Sequence, residues 1–406
     1  MALAESPMAL AQTKSLPPLR AGVGARDVRL DFFRGIAMFI ILIAHIPSNW
    51  LTLWIPARFG FSDATEMFVF CSGMASAIAF GKVFREQGHM MGSVRVAFRV
   101  WQVYWAHIGL FFAVAAAMVV LNNLVPDGRD YVGQLNLYPF FNRPQENLVG
   151  LLTLTYVPNY FDVLPMYLVI LAMMPFVIAL VGFNRWVAAA VLIAIWLSAS
   201  VFDLNFPAEP WSERQWFFNP LGWQLVFFTG FALMAGWIPA PPVDWRLFVV
   251  AVLIVLVSVP FAYFRVYNEV EWFLEWRREW RFLFTKTDFG ILRYVHFLSL
   301  AYIAWCLVGP KGVRILPSET GGIFARIWQV ILNTILKVGQ QSLVVFVSSM
   351  FLARLLGALF DQVGRSHFSM AWVNTLGALI IIALAYGVGW IKSQPWKQRK
   401  SAHAAP

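Results

Sequence analysis

Apolar residues dominate the chain in runs of about 20, long enough to cross a bilayer as helices. Short polar stretches separate these runs. Read in order, they predict about ten spans, at 32–50, 61–83, 96–121, 161–183, 186–203, 219–237, 245–264, 289–309, 338–360 and 370–391. The expected fold class is all-α, a polytopic integral membrane protein of about ten transmembrane helices. Residues 1–28 are rich in Ala, Pro, Gly and Arg and lack an apolar core long enough for a signal peptide. They read as a disordered cytoplasmic tail. Residues 29–392 form one membrane domain without an internal repeat, and 393–406 form a basic cytoplasmic tail.

Charge orients the spans. Lys14, Arg20, Arg26 and Arg29 precede the first, and Lys82, Arg85, Arg95 and Arg99 cluster between the second and third. Arg185, Arg246, Lys311, Arg314, Arg326, Lys337 and Lys392 continue the same side. The opposite loops are acidic or mixed. Basic loops stay in the cytoplasm, which places both termini there. Two opposite-side connections are long. The second half of 122–160 is apolar enough to dip into the membrane. In 265–288, Trp272, Trp276 and Trp280 recur every four residues and share a helical face. That face reads either as an interfacial anchor or as a stacking platform for a sugar.

Composition agrees with the pattern. The 406 residues are 60% hydrophobic and 13% charged, with a mean hydropathy of +0.66. This is far more apolar than a soluble domain. The net charge of +10 is spread over short loops, which argues for membrane lipids as neighbours and against nucleic acid. Cys71 and Cys306 both sit inside apolar runs, offering neither a disulfide framework nor a metal-ligand spacing. No metal site is expected.

One hairpin, Arg29 to Gly73, carries too many charges for lipid. Arg34 and His45 are eleven positions apart, about 20° from three full turns, so they share one helical stripe about 16 Å long. Asp63 and Glu66 open the second span, three apart and on one face. Asp63 reads equally well as a helix cap, whereas an unpaired Glu66 at greater depth is costly. Sorted by depth, Asp162, Gln224, Arg293, His296 and Arg354 fall near the level of His45, Asp63 and Glu66. Together they suggest an outward-opening cavity. Singly, His45 reads as a satisfied core histidine, Arg34 as a positive-inside anchor paired with Asp31, and Arg293 and Arg354 as counter-ions. Ser72 and Gly73 read as small residues that let two helices approach.

The pairing of Arg34 and His45 within LDFFRGIAMFIILIAH resembles the Arg-x10-His signature of acyltransferase family 3 membrane enzymes. FVFCSGM is similar to that superfamily's Phe-rich segment closing on Ser-Gly. More narrowly, DVLPMY at 162–167, NPLGWQLVFFTG at 219–230 and GQQSLVVFVSS at 339–349 resemble the OpgC protein family. The resemblance runs from about Arg26 to Trp390. It implies that 29–392 is an acyltransferase domain of the bacterial inner membrane. There it would move an acyl group, typically succinyl, onto osmoregulated periplasmic glucans or another envelope polysaccharide. No bound cofactor is expected, and acyl-CoA (succinyl-CoA or acetyl-CoA) is the implied co-substrate.

On that resemblance Arg34 meets the CoA phosphates at the cytoplasmic end. His45 is the general base for a sugar hydroxyl. Asp63 or Glu66 orients its imidazole, and Arg293 or Arg354 neutralises the carboxylate of a succinyl group. Asp162, Gln224 and His296 complete the expected substrate site. A transporter or flippase for an envelope glycan would also gather charges at mid-depth, but it would often show repeated halves.

Overall fold

The computed structural model describes residues 27–124, 129–318 and 322–397. The expected N-terminal tail lies outside them except for Asp27 and Val28, as does most of the C-terminal tail. Among the described residues the regular structure is helical, and no strand forms beyond a lone Pro207–Gln215 bridge.

The helices, in chain order, are α1 (Val28–His45), α2 (Ala64–Glu86), α3 (Gly88–Leu124), α4 (Tyr138–Asn142) and α5 (Pro144–Thr153). They continue with α6 (Val163–Phe183), α7 (Arg185–Phe202), α8 (Pro220–Ala235), α9 (Trp245–Ala262) and α10 (Phe264–Tyr267). The remainder are α11 (Glu271–Glu279), α12 (Ile291–Val308), α13 (Ile323–Gln340), α14 (Ser342–Val363) and α15 (His367–Lys392). Eight of them, namely α2, α3, α6, α7, α9, α12, α14 and α15, are long and apolar enough to cross a membrane. The expected count of about ten is not reached on that measure. The helices at the expected first and sixth spans fall short for different reasons. α1 carries Arg29, Asp31 and Arg34, and α8 is only 16 residues long.

Local chemistry sets the helix ends. The Asp27 carboxylate accepts from the Arg29 N–H at 3.0 Å and starts α1, and Pro47 follows its end, where helical backbone is disfavoured. Asp63 accepts from the Thr65 N–H at 2.6 Å while Glu66 accepts from the Asp63 N–H at 2.8 Å, a reciprocal cap that starts α2. Asn219 caps α8, with Pro220 at its first position.

Small residues set the packing. A Cβ on Gly73 would collide with the Phe227 carbonyl of α8, and one on Gly230 with the Phe70 carbonyl of α2. The two backbones therefore touch, as the small residues of the hairpin suggest.

α13 departs from the expectation. Residues 311–337 carry four bases and read as a loop, with a span starting at 338. Instead an amphipathic helix ends at Gln340, the backbone breaks at Gln341, and α14 starts at Ser342. α13 packs beside the first turns of α1, where a Cβ on Gly339 would meet the Asp31 carbonyl.

Candidate active site

At the end of α1 the helices enclose a cavity of about 300 Å³. Its lining is Ile41 and His45 of α1, Thr65 and Phe68 of α2, the Asn159–Val163 turn into α6, and Phe346 of α14. Phe217, Phe218 and Lys286 come from the loops before α8 and α12. Aromatic rings thus make much of the wall, and His45, Thr65, Asn159, Tyr160, Asp162 and Lys286 supply its polar groups.

His45 is oriented by its own helix. Nδ1 lies 2.7 Å from the carbonyl oxygen of Ile41, one turn earlier. A carbonyl only accepts, so Nδ1 donates the hydrogen and Nε2 of the neutral ring keeps a lone pair. Among the described residues Nε2 has no hydrogen-bond partner. Tyr160 packs edge-on against the imidazole, with ring centroids 5.5 Å apart. The sequence assigned this orienting task to Asp63 or Glu66, and the structure corrects it: both carboxylates are engaged elsewhere.

They belong to a four-residue ion network beside the cavity. Lys286 Nζ lies 2.5 Å from Asp63 Oδ2. Arg293 donates from Nε to Glu66 Oε1 at 2.7 Å, and its guanidinium is 3.6 Å from Asp63. Glu66 is fully buried, so its pairing with Arg293 decides whether a charge there is tolerable. Two acids and two bases balance. The sequence placed three members of this cluster at one depth. It missed Lys286, a single lysine in a polar loop with no periodic signal.

Arg354 is also engaged. Its guanidinium stacks 3.9 Å from the ring centroid of Tyr160, which lines the cavity, while Arg354 itself does not. Tyr160 holds a left-handed backbone with φ of +89°, a conformation that costs an aromatic residue about 1–3 kcal/mol. Its hydroxyl donates to the Met350 carbonyl at 2.6 Å, and this bond with the Arg354 contact fixes the ring beside His45.

Asp162 does line the cavity, and its Oδ1 accepts from the Phe217 N–H at 2.9 Å. His296 and Gln224 do not. Nδ1 of His296 is 2.7 Å from the Ser62 hydroxyl, and its ring fills the space a side chain at Gly60 would need. Gln224 is buried and donates to the Leu192 carbonyl of α7 at 2.8 Å. Both hold neighbouring segments together.

Arg34 sits deeper, where its guanidinium donates to the Ser342 hydroxyl. Between it and the cavity lie Phe68 and Phe346, stacked 5.5 Å apart and 10° from parallel. Phe346 is one turn beyond Ser342 on α14, and Ile41 two turns beyond Arg34 on α1. The ring pair therefore forms the cavity floor on the Arg34 side.

The tryptophan face of 265–288 divides. Trp276 stacks on Phe284 and packs against Phe261, while Trp272 and Trp280 are exposed and Trp280 lies past the end of α11. A second loop, 203–218, reads from the sequence only as an acidic connection on the opposite side, although it supplies Phe217 and Phe218. It is held by Arg214, which donates to Glu209 at 3.0 Å, to the Val157 carbonyl at 2.7 Å and to Asn159 at 3.3 Å. Glu209 is buried, which pushes its carboxyl up. Ser212, Arg214 and Asn136 more than offset this and hold it below the usual carboxylate range. Among the described residues no three His, Cys, Asp or Glu side chains are grouped as metal ligands.

Residues 26–393 match the family described as OpgC protein. No curated protein and no solved structure matches the chain. The family points to membrane transferases of acyltransferase type acting on glucans. With a match over nearly its whole length, the chain belongs to the OpgC protein family.

Proposed function

We propose that the protein transfers an acyl group, typically succinyl, from cytoplasmic acyl-CoA to a hydroxyl of a periplasmic glucan, with His45 as general base. The observation that carries this reading is the hydrogen bond from His45 Nδ1 to Ile41, which leaves Nε2 free to take a proton. Among the histidines of the described residues, His45 is the one on the cavity wall.

The sugar hydroxyl loses its proton to Nε2 as its oxygen attacks the thioester carbonyl. The tetrahedral intermediate then collapses with loss of the CoA sulfur, which takes the proton from the imidazolium. Aromatic walls suit the apolar face of a sugar, and Asn159 and Asp162 offer acceptors for its other hydroxyls. Arg34 would hold the donor's phosphates on the cytoplasmic side. The acyl end must then pass the Phe68–Phe346 floor to reach His45. Mass spectrometry of envelope glucans from cells carrying wild-type protein, no protein or a well-expressed His45→Ala variant tests the reading. Acylation should vanish in the last two, and full acylation with His45→Ala would sink it.

A further inference from the structure

General-base catalysis moves only half of the charge in acyl transfer. As the hydroxyl attacks, the carbonyl oxygen becomes an anion, and an apolar-walled cavity must supply donors aimed at it. The polar lining offers few: the neutral Thr65 hydroxyl and Asn159 amide, and the Lys286 ammonium. The hydroxyl of Tyr160 is committed to Met350, and Asp162 offers acceptors only when ionised. Arg293 lies between Glu66 and Asp63, and Arg354 stacks on Tyr160 without lining the cavity. Among the described residues Lys286 is the one lysine or arginine on the wall.

The geometry points to Lys286 as the oxyanion donor, a catalytic residue of the acyl transfer; this rests on the reading of the site given above. An ammonium carries three N–H donors. One is directed at Asp63 and the ammonium itself lies 5.4 Å from the Phe218 ring centroid, so further donors remain for the cavity that His45 also lines. Asp63 is itself immobile, because it caps α2 through Thr65 and is locked by Glu66. The ammonium is thus positioned before substrate arrives and needs little reorganisation as charge develops.

The oxygen of the sugar forms its bond to the thioester carbon, and the carbonyl π pair moves onto the oxygen facing Lys286. The proton goes to His45 Nε2. When the intermediate collapses, that pair re-forms the carbonyl, the C–S bond breaks towards sulfur, and His45 returns the proton to the thiolate.

A purely structural role fits less well, because the loop is already anchored by its backbone. Trp223 Nε1 donates to the Lys286 carbonyl at 2.8 Å, the Asn219 N–H donates to the Thr287 carbonyl at 3.0 Å, and the Asn219 amide donates to Asp288 at 2.9 Å. Removing the ammonium leaves all three.

The test uses the purified full chain in lipid nanodiscs, with succinyl-CoA and acetyl-CoA as donors and a glucan oligosaccharide as acceptor. Lys286→Met should lower kcat by about 10²- to 10³-fold with both donors, as loss of an oxyanion donor does elsewhere. KM values should stay within about threefold, and Lys286→Arg should recover part of the loss. Asp63→Asn, which unfixes the ammonium, should lower kcat in the same direction and serves if Lys286→Met does not accumulate. An unchanged kcat, a loss expressed only in KM, or a loss confined to succinyl-CoA would overturn the assignment. The last result would make Lys286 a reader of the succinyl carboxylate instead. His45→Ala run in parallel separates the two readings, since a fully active His45→Ala enzyme refutes the base whatever Lys286 does.

Discussion

Nδ1 of His45 donates to the carbonyl of Ile41 at 2.7 Å, so the imidazole is oriented by the backbone of its own helix. A carboxylate partner would stabilise the imidazolium and hold the ring, whereas a carbonyl mainly holds it. The stabilising charges of this site therefore lie in a separate group, the Lys286–Asp63–Arg293–Glu66 network. Substitutions in that network should act on stability and rate in ways distinct from substitution of the base.

Breaking the buried pair from one side should cost more than removing both partners. Glu66→Ala leaves Arg293 with only the longer contact to Asp63, and Arg293→Met leaves Glu66 a fully buried acid with the Asp63 N–H but no ion-pair partner. Each single change is expected to destabilise by about 3–5 kcal/mol, and the double change by less than the sum. Thermal unfolding in detergent micelles reads the difference; strict additivity would show that the two side chains are not coupled.

The loop that supplies Phe217 and Phe218 should be acid-sensitive. Glu209 is held below its ordinary range in the folded protein by Ser212, Arg214 and Asn136, despite its burial. A lowered carboxylate contributes stability that is fully present above its unfolded value of about 4.3 and lost as pH falls through the lower folded one. Glu209→Gln should thus be less stable than wild type at pH 7, by about 1–3 kcal/mol, with the gap closing below about pH 4. Melting curves across that range check it. A gap that stays constant with pH would remove the charge from the explanation.

Phe346→Leu loosens the floor between Arg34 and the cavity. If the acyl arm passes there, hydrolysis of acyl-CoA without a glucan acceptor should rise several-fold, because water gains the same path. Release of free CoA thiol measures it directly. Unchanged hydrolysis, with wild-type transfer, would place the donor route elsewhere.

Arg34→Gln should raise the apparent KM for acyl-CoA by about tenfold, roughly the value of one charge-assisted hydrogen bond, and leave the KM for glucan unchanged. Initial rates over a range of each substrate separate the two. An effect on the acceptor alone would contradict a donor role at that end of the hairpin.

Part of the clustering was legible in the sequence, and the direction of the side chains was not. Hydropathy and loop charge placed Asp63, Glu66 and Arg293 at one level, and they do meet. The same reasoning placed Gln224, His296 and Arg354 there, yet each faces a neighbouring helix or loop, because the face a side chain takes depends on packing between helices. Gly73 was readable since its function is to be small. Lys286, Tyr160 and the 203–218 loop carry no periodicity, and only tertiary contacts bring them to His45. α13 was read as a loop because its bases outweighed an apolar repeat along one face. α1 was read as the first span from its hydropathy, although its three charged residues keep it out of the eight helices apolar enough to cross a membrane.

The most direct measurement of the central claim is transfer of a radiolabelled acyl group from acyl-CoA to glucan by the purified His45→Gly variant, with and without added imidazole. The account predicts a loss of about 10²- to 10⁴-fold, the usual contribution of a positioned base, and partial recovery as imidazole occupies the vacated space. Wild-type transfer by the folded variant would show that another group takes the proton.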